Sequence, residues 1–161
     1  MSIAVLGAGS WGTALALLLH KNGHEVTLWS WKEEQVKAIK ANGENQDFLP
    51  GVAVPEDLPI TANLEEAVSS RNFVVLSVPS QAIREVAHRI FPMVLKTTSI
   101  VSTAKGLEKG TLLRLSQVIH EELPHNKIAV LSGPSHAEEV ARELPTTIVA
   151  SSEDMELAKE V

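Results

Sequence analysis

The 161-residue chain has no cysteine, which excludes disulfides and thiolate metal sites and suits a reducing compartment. It has no excess of positive charge. Fourteen Lys and Arg face 20 Asp and Glu, for a formal net charge of −6, which argues against a nucleic-acid-binding surface. Long apolar runs are also missing. The longest, Ala14 to Leu19, is far too short to span a membrane. Ile3 to Leu6 is too short for a signal sequence, has no basic residue before it and runs straight into glycines. These absences leave a soluble, cytoplasmic protein without membrane insertion as the expectation. What is present is globular: 44% hydrophobic and 21% charged residues, in a length typical of one domain.

Short apolar runs alternate with helical patterns. Strands are expected at Ile3–Leu6, Glu25–Trp29, Ile60–Ala62, Phe73–Val78, Ser99–Ser102, Ile128–Leu131 and Thr147–Ala150. Most lack polar alternation, as strands covered on both faces do. Helices are expected at Trp11–Lys21, with Trp11, Leu15, Leu18 and Leu19 on its apolar stripe, and at Lys32–Asn42 after a Ser30-x-x-Glu33 capping box. Asn22-Gly23 and Gly43 supply their stops. Further helices are expected at Leu64–Ser69 after Asn63, beyond Ser80 with Ile83, Val86, Ala87 and Ile90 inward, and at Leu112–Leu123. Another spans Ser135–Arg142, with a Ser135-x-x-Glu138 capping box, and a last one opens at Ser151-Ser152. Glu44 to Pro59 reads as an irregular loop. Repeated strand–helix units imply an α/β fold: a doubly wound, mostly parallel sheet with helices on both faces. The chain ends within a helical pattern without a breaker, so the native protein is expected to continue beyond Val161.

Gly7-Ala8-Gly9-Ser10-Trp11-Gly12 follows a buried strand and opens a helix, the context that makes G-x-G-x-x-G a dinucleotide-binding signal of the Rossmann type. Gly7 permits the tight turn, Gly9 lets the backbone approach a pyrophosphate, and Gly12 lets helix and strand pack closely. The helix N-terminus adds free N–H groups and a partial positive charge. No Lys follows the glycines, so the loop is not a P-loop for a nucleoside triphosphate. An acidic residue after the second strand would bind the adenosine ribose 2′-OH. Here Trp29-Ser30-Trp31-Lys32 stands instead. Lys32 suits a 2′-phosphate and Trp31 an adenine, which favours NADP(H), or use of both NADP(H) and NAD(H), over strict NAD. A solvated Lys and a packed Trp are the bland alternative.

Ligands in open α/β sheets lie beyond the carboxyl ends of the strands. Three more strands end there in polar segments, "SVPS" (77–80), "STAKGLEKG" (102–110) and "LSGPSHAEEV" (131–140). Lys105 lies just past a buried strand and before Gly106, placed for a substrate phosphate, a carbonyl oxygen or the nicotinamide end; a surface Lys is the alternative. Gly133 and Ser135 precede a helix and are placed to hold an anion, with Ser135 as a plain N-cap the alternative. Gly133-Pro-Ser-His-Ala137 is not a nucleophile elbow, because no histidine follows His136. His136-x-Glu138 is not a deaminase zinc motif, because the cysteines are missing.

The segments "GAGSWGTALA", "VPS", "AKGLE", "LSGPSHAEEV" and "LPT", in this order, closely resemble bacterial NAD(P)-dependent glycerol-3-phosphate dehydrogenases along the whole chain. The resemblance implies reversible hydride transfer between NAD(P)H and dihydroxyacetone phosphate, giving sn-glycerol 3-phosphate for phospholipid synthesis in the cytoplasm. It implies that Ser10 and Trp11 line the pyrophosphate and that Ala137 touches the cofactor. Trp31 and Lys32 fall where the family meets the adenosine end, although Trp31 departs from the basic or His residue usual there. Lys105 would contact cofactor and substrate, and Gly133 and Ser135 the substrate. The family's general-acid lysine lies in a following helical domain. Residues 1–161 are therefore expected to be the dinucleotide-binding domain alone, with no catalytic acid, and a homodimer is open for the complete enzyme. Two alternatives stand beside this reading: a dehydrogenase of the β-hydroxy acid or ketopantoate type, and a non-catalytic NAD(P)-sensing module.

Overall fold

Strands and helices alternate from the second residue of the computed structural model, which describes residues 1–161. β1 (Ser2–Leu6), α1 (Ser10–Lys21), β2 (Glu25–Trp29) and α2 (Glu33–Asn42) come first. After the irregular segment 43–59 follow β3 (Ile60–Thr61), α3 (Leu64–Val68) and β4 (Phe73–Leu76). A 3-10 turn at Ser80–Ala82 leads into α4 (Ile83–Ile90), then β5 (Ser99–Ser102) and α5 (Leu115–Glu122). β6 (Ile128–Ser132), α6 (Ala137–Ala141), β7 (Val149–Ser152) and α7 (Met155–Glu160) are the last elements.

The seven strands form one sheet in the order β3-β2-β1-β4-β5-β6-β7. Every neighbouring pair is parallel except β6 and β7. Strand order reverses between β1 and β4, and a crevice opens at such a switch point beyond the strand ends. Successive side chains of each strand serve opposite faces. Ile3 and Val5 join Val26, Leu28, Val75 and Val101 in one core cluster with Leu15, Val36 and Leu157 of α1, α2 and α7. Ala4, Leu6, Val74, Leu76 and Ile100 join Val68, Ile83, Ile90 and Ile119 of α3, α4 and α5 in the other. Both faces are therefore apolar, which is why the strands read as unbroken hydrophobic runs. The doubly wound sheet with helices on both faces is the one expected.

Several boundaries differ from the sequence reading. β4 stops at Leu76 rather than Val78. Ser77 N–H still donates to the Leu6 carbonyl, but Pro79 has no N–H to extend the ladder. β7 lies two residues later than expected and runs antiparallel at the sheet edge, taking in Ser151-Ser152. α7 starts after Asp154 instead, whose carboxylate accepts the N–H groups of Glu156 and Leu157 at 3.0 and 3.2 Å. α5 starts at Leu115, because Leu112 adopts φ +60° and a short bridge joins Leu107 to Arg114.

Neither expected serine capping box forms. His136 is the N-cap of α6 and Lys32 that of α2, both without a side-chain cap. Ser30 Oγ instead donates to Gln35 Oε1 and accepts from Lys32 N–H. Of the expected α1 stripe, Leu15 is buried and Trp11 and Leu19 pack against the same core, and only Leu18 departs. Leu18 is 36% exposed, while Gly12, Thr13, Ala14, Leu15 and Ala16 are buried, because α1 is covered by the sheet on one side and by α6 on the other. Asn63 caps α3 as expected, and Gly43 ends α2 in the left-handed conformation.

Candidate functional site

The loop between β1 and α1 has glycine where side chains do not fit. Gly7 adopts φ +115°, and a Cβ there would lie 2.7 Å from the Ser77 carbonyl oxygen. A Cβ on Gly12 would lie 1.8 Å from the Gly7 carbonyl oxygen, so the first turn of α1 packs directly on the loop. Gly9 is different. Its φ is −78°, and a Cβ there meets nothing within 4 Å. Packing explains Gly7 and Gly12, and open space above the backbone is what remains at Gly9. No acidic residue occupies the first turn of α1, so nothing local offsets the positive end of this helix.

Beyond the strand ends a cavity of about 410 Å³ is lined from four sides. Ser10 and Trp11 come from the first turn of α1, Ser77 and Val78 from the end of β4, and Thr103 to Lys105 from the end of β5. Ser135, His136 and Ala137 come from the entry to α6. Five residues singled out in the sequence (Ser10, Trp11, Lys105, Ser135 and Ala137) thus meet around one space. Gly133 is adjacent: its carbonyl accepts from Lys105 Nζ at 3.0 Å. A Cβ on Gly133 would lie 2.6 Å from the Thr147 carbonyl oxygen, so packing alone requires glycine there. Trp31 and Lys32 are not among the cavity residues. They follow β2, with Trp31 71% exposed and Lys32 Nζ 5.0 Å from its ring centroid, an aromatic platform beside a cation.

The segment carrying Lys105 is tied down from α4 and its entry turn. Gln81 Nε2 donates to the Leu107 carbonyl and Gln81 Oε1 accepts from Lys109 N–H, each at 2.9 Å. The Arg84 guanidinium donates to both Glu108 oxygens at 2.7 and 2.9 Å, and to Glu121 and Glu122 at 2.7 Å. Arg84, helped by the Thr111 hydroxyl, holds the Glu108 carboxyl down at about 2. Arg84 and then His88 also lower Glu122, and the three carboxylates raise the Arg84 guanidinium in return. Exposed ion pairs contribute little singly, but this bidentate pair within a network fixes geometry.

The sequence reading named segments but missed several individual residues. Ser77 Oγ and Thr103 Oγ1 lie 2.8 Å apart at the ends of β4 and β5, and Thr103 Oγ1 also bonds the Leu76 carbonyl. His136 lines the cavity, while Gln81 and Arg84 lie outside it and bond the segment Leu107–Lys109 that follows Lys105. Only the position of Ser77 and Thr103 just past apolar runs signalled them. No helix is long and apolar enough to cross a membrane.

Residues 2–158 match the family model described as NAD-dependent glycerol-3-phosphate dehydrogenase N-terminus. The chain is 53% identical over 160 residues to a glycerol-3-phosphate dehydrogenase [NAD(P)+] of Moorella thermoacetica, covering 99% of this chain and 48% of that protein. It is 46% identical over 159 residues to a protein of the same name from Fusobacterium nucleatum, covering 98% and 48%. The crystal structure of glycerol-3-phosphate dehydrogenase from Coxiella burnetii superposes with a TM-score of 0.92 at 41% identity, covering 99% of this chain and 49% of that one. The chain spans about half the length of the curated relatives it matches.

Proposed function

This chain belongs to the NAD-dependent glycerol-3-phosphate dehydrogenase N-terminus family, and from that membership we propose that it is the dinucleotide-binding domain of an enzyme interconverting dihydroxyacetone phosphate and sn-glycerol 3-phosphate with NAD(P)H. The observation that carries the proposal is the meeting of the unopposed N-terminus of α1, through Ser10 and Trp11, with Lys105 around one cavity, next to an open Gly9 backbone. The donor set fits a dinucleotide. Gly7, Gly9 and Gly12 shape the loop, and the N–H groups of Ser10 and Trp11 hold the pyrophosphate. Trp31 and Lys32 meet the adenosine end, with Lys32 facing a 2′-phosphate when NADP(H) is used. Ala137 closes the far side of the cavity.

When bound, the cofactor supplies or accepts the hydride. Lys105 holds its ammonium at the cavity edge through the Gly133 carbonyl, placed to stabilise charge developing on a substrate oxygen. Ser135 and Gly133 contact the substrate. Reduction of a ketone also needs a proton donor at the new alkoxide and a closed, dry site. We assign both to a following helical domain that carries the general-acid lysine. The products feed glycerophospholipid synthesis in the cytoplasm. The family match disfavours the β-hydroxy acid or ketopantoate alternative. A sensing module without chemistry would bind but never turn over, even as the complete protein.

Fluorescence titration of the 161-residue chain with NADH and NADPH tests the reading. One site per chain is expected, with no appreciable dihydroxyacetone phosphate reduction. Absence of binding refutes the cofactor assignment, and turnover at ordinary enzyme rates refutes the placement of the acid.

A further inference from the structure

The glycine loop is gripped by two side chains to which the binding scheme above gives no role. The Ala8 carbonyl accepts from Gln35 Nε2 at 2.7 Å and from Asn45 Nδ2 at 3.0 Å. Asn45 belongs to the irregular segment after α2, yet it is only 2% exposed, and its amide also donates to Thr13 Oγ1 at 2.8 Å. Gln35 Oε1 accepts from Ser30 Oγ at 2.6 Å, and Ser30 Oγ accepts from Lys32 N–H at 3.2 Å. One connected run of hydrogen bonds therefore links the segment after β2 to the glycine loop and the first turns of α1.

A trans peptide points its C=O and its N–H in opposite directions. No peptide bond in this chain is cis. The Ala8 carbonyl and the Gly9 N–H belong to one peptide unit. Two donors that hold the carbonyl toward Gln35 and Asn45 therefore hold the Gly9 N–H away from them. That N–H has no acceptor within the chain. An unpaired, oriented N–H at a helix N-terminus is a donor kept ready for an anion.

We infer that Gln35 and Asn45 are positioning residues for dinucleotide binding. They orient the Ala8–Gly9 peptide so that the Gly9 N–H faces the pyrophosphate. Through Ser30 they tie that orientation to the segment that meets the adenosine end. The inference rests on the cofactor reading given above. A purely structural pair would pin the loop without affecting affinity in a folded chain.

The test uses the ¹⁵N-labelled 161-residue chain with Gln35→Met and Asn45→Ala. Gln35 is partly exposed and Met keeps its length, so that variant carries the test if the buried Asn45→Ala chain fails to fold. NADH affinity is read by tryptophan fluorescence, folding by thermal midpoint, and the loop by the Gly9 amide resonance. Each folded variant should bind NADH about tenfold more weakly, about 1.4 kcal/mol. The Gly9 amide should shift with NADH in the wild-type chain and much less in the variants. A folded variant with wild-type affinity and a wild-type Gly9 response overturns the inference, even if its midpoint falls. A wild-type chain that does not bind NADH overturns the cofactor reading instead, before any variant is measured.

Discussion

Replacing Gly9 separates the two uses of glycine in the loop. At Gly9 a Cβ meets nothing within 4 Å and φ is −78°, so neither space nor backbone conformation forbids a side chain. An N-cap exchange of Gly for an apolar residue costs roughly 1 kcal/mol or less. The side chain would nevertheless stand where a pyrophosphate must approach. Loss of two charge-assisted hydrogen bonds at about 1.5–3 kcal/mol each predicts an affinity loss on the order of 10²–10⁴-fold. Gly12→Ala is the opposite case. Its Cβ would lie 1.8 Å from the Gly7 carbonyl oxygen, so the helix must move off the loop. Such overpacking costs typically about 1–3 kcal/mol, and more against rigid backbone. The assay pairs NADH titration by fluorescence with thermal unfolding. Gly9→Val should keep nearly the wild-type midpoint and lose NADH binding, while Gly12→Ala should lose midpoint first. Unchanged NADH affinity in Gly9→Val, or a collapse of its fold, would refute the reasoning.

Three other perturbations bear on the site. If Lys32 meets a 2′-phosphate, Lys32→Glu should weaken NADPH by roughly 1–3 kcal/mol and NADH much less; equal losses by titration would return Lys32 to a solvated helix terminus. In the complete enzyme, Lys105→Met should lower the rate of dihydroxyacetone phosphate reduction on the order of 10²–10³-fold, and near-normal kcat would make it a surface residue. Glu108 is held at about 2, below its ordinary 4.5, so its stabilising effect is full above 4.5 and is lost as pH falls toward 2. The stability gap between wild type and Glu108→Gln in denaturant titrations should therefore narrow through that window, and a gap that stays constant contradicts the Arg84 pairing.

The parts of the fold legible in the sequence were those set by local rules. Val, Ile and Leu runs marked strands buried on both faces, and Asn63 and Gly43 marked helix ends through backbone chemistry. Gly7 and Gly12 were legible because packing leaves no room there for a side chain, and Gly9 because it stands at the middle position of the same spacing. A strand near β7 was legible, but its bounds and antiparallel direction were not, since Val149–Ser152 is half exposed and the direction depends on pairing with β6. Asn45 and Gln35 were equally silent. Asn45 touches Thr13 from 32 positions away, and an asparagine in a polar loop carries no mark of burial. The capping box at Ser30 failed because α2 starts later than the box needs, with Lys32 as N-cap, and Ser30 Oγ bonds Gln35 and Lys32 N–H. At Ser135 the helix likewise starts late, with His136 as N-cap.

The claim that the crevice at the β1/β4 switch point holds a dinucleotide is tested most directly by a crystal structure of this chain with NADPH. The pyrophosphate should lie within hydrogen-bond distance of the N–H groups of Gly9, Ser10 and Trp11. The 2′-phosphate should lie near Lys32 and the nicotinamide in the cavity beside Lys105. A crevice left empty at saturating NADPH, or a dinucleotide bound on another face of the sheet, would contradict the account.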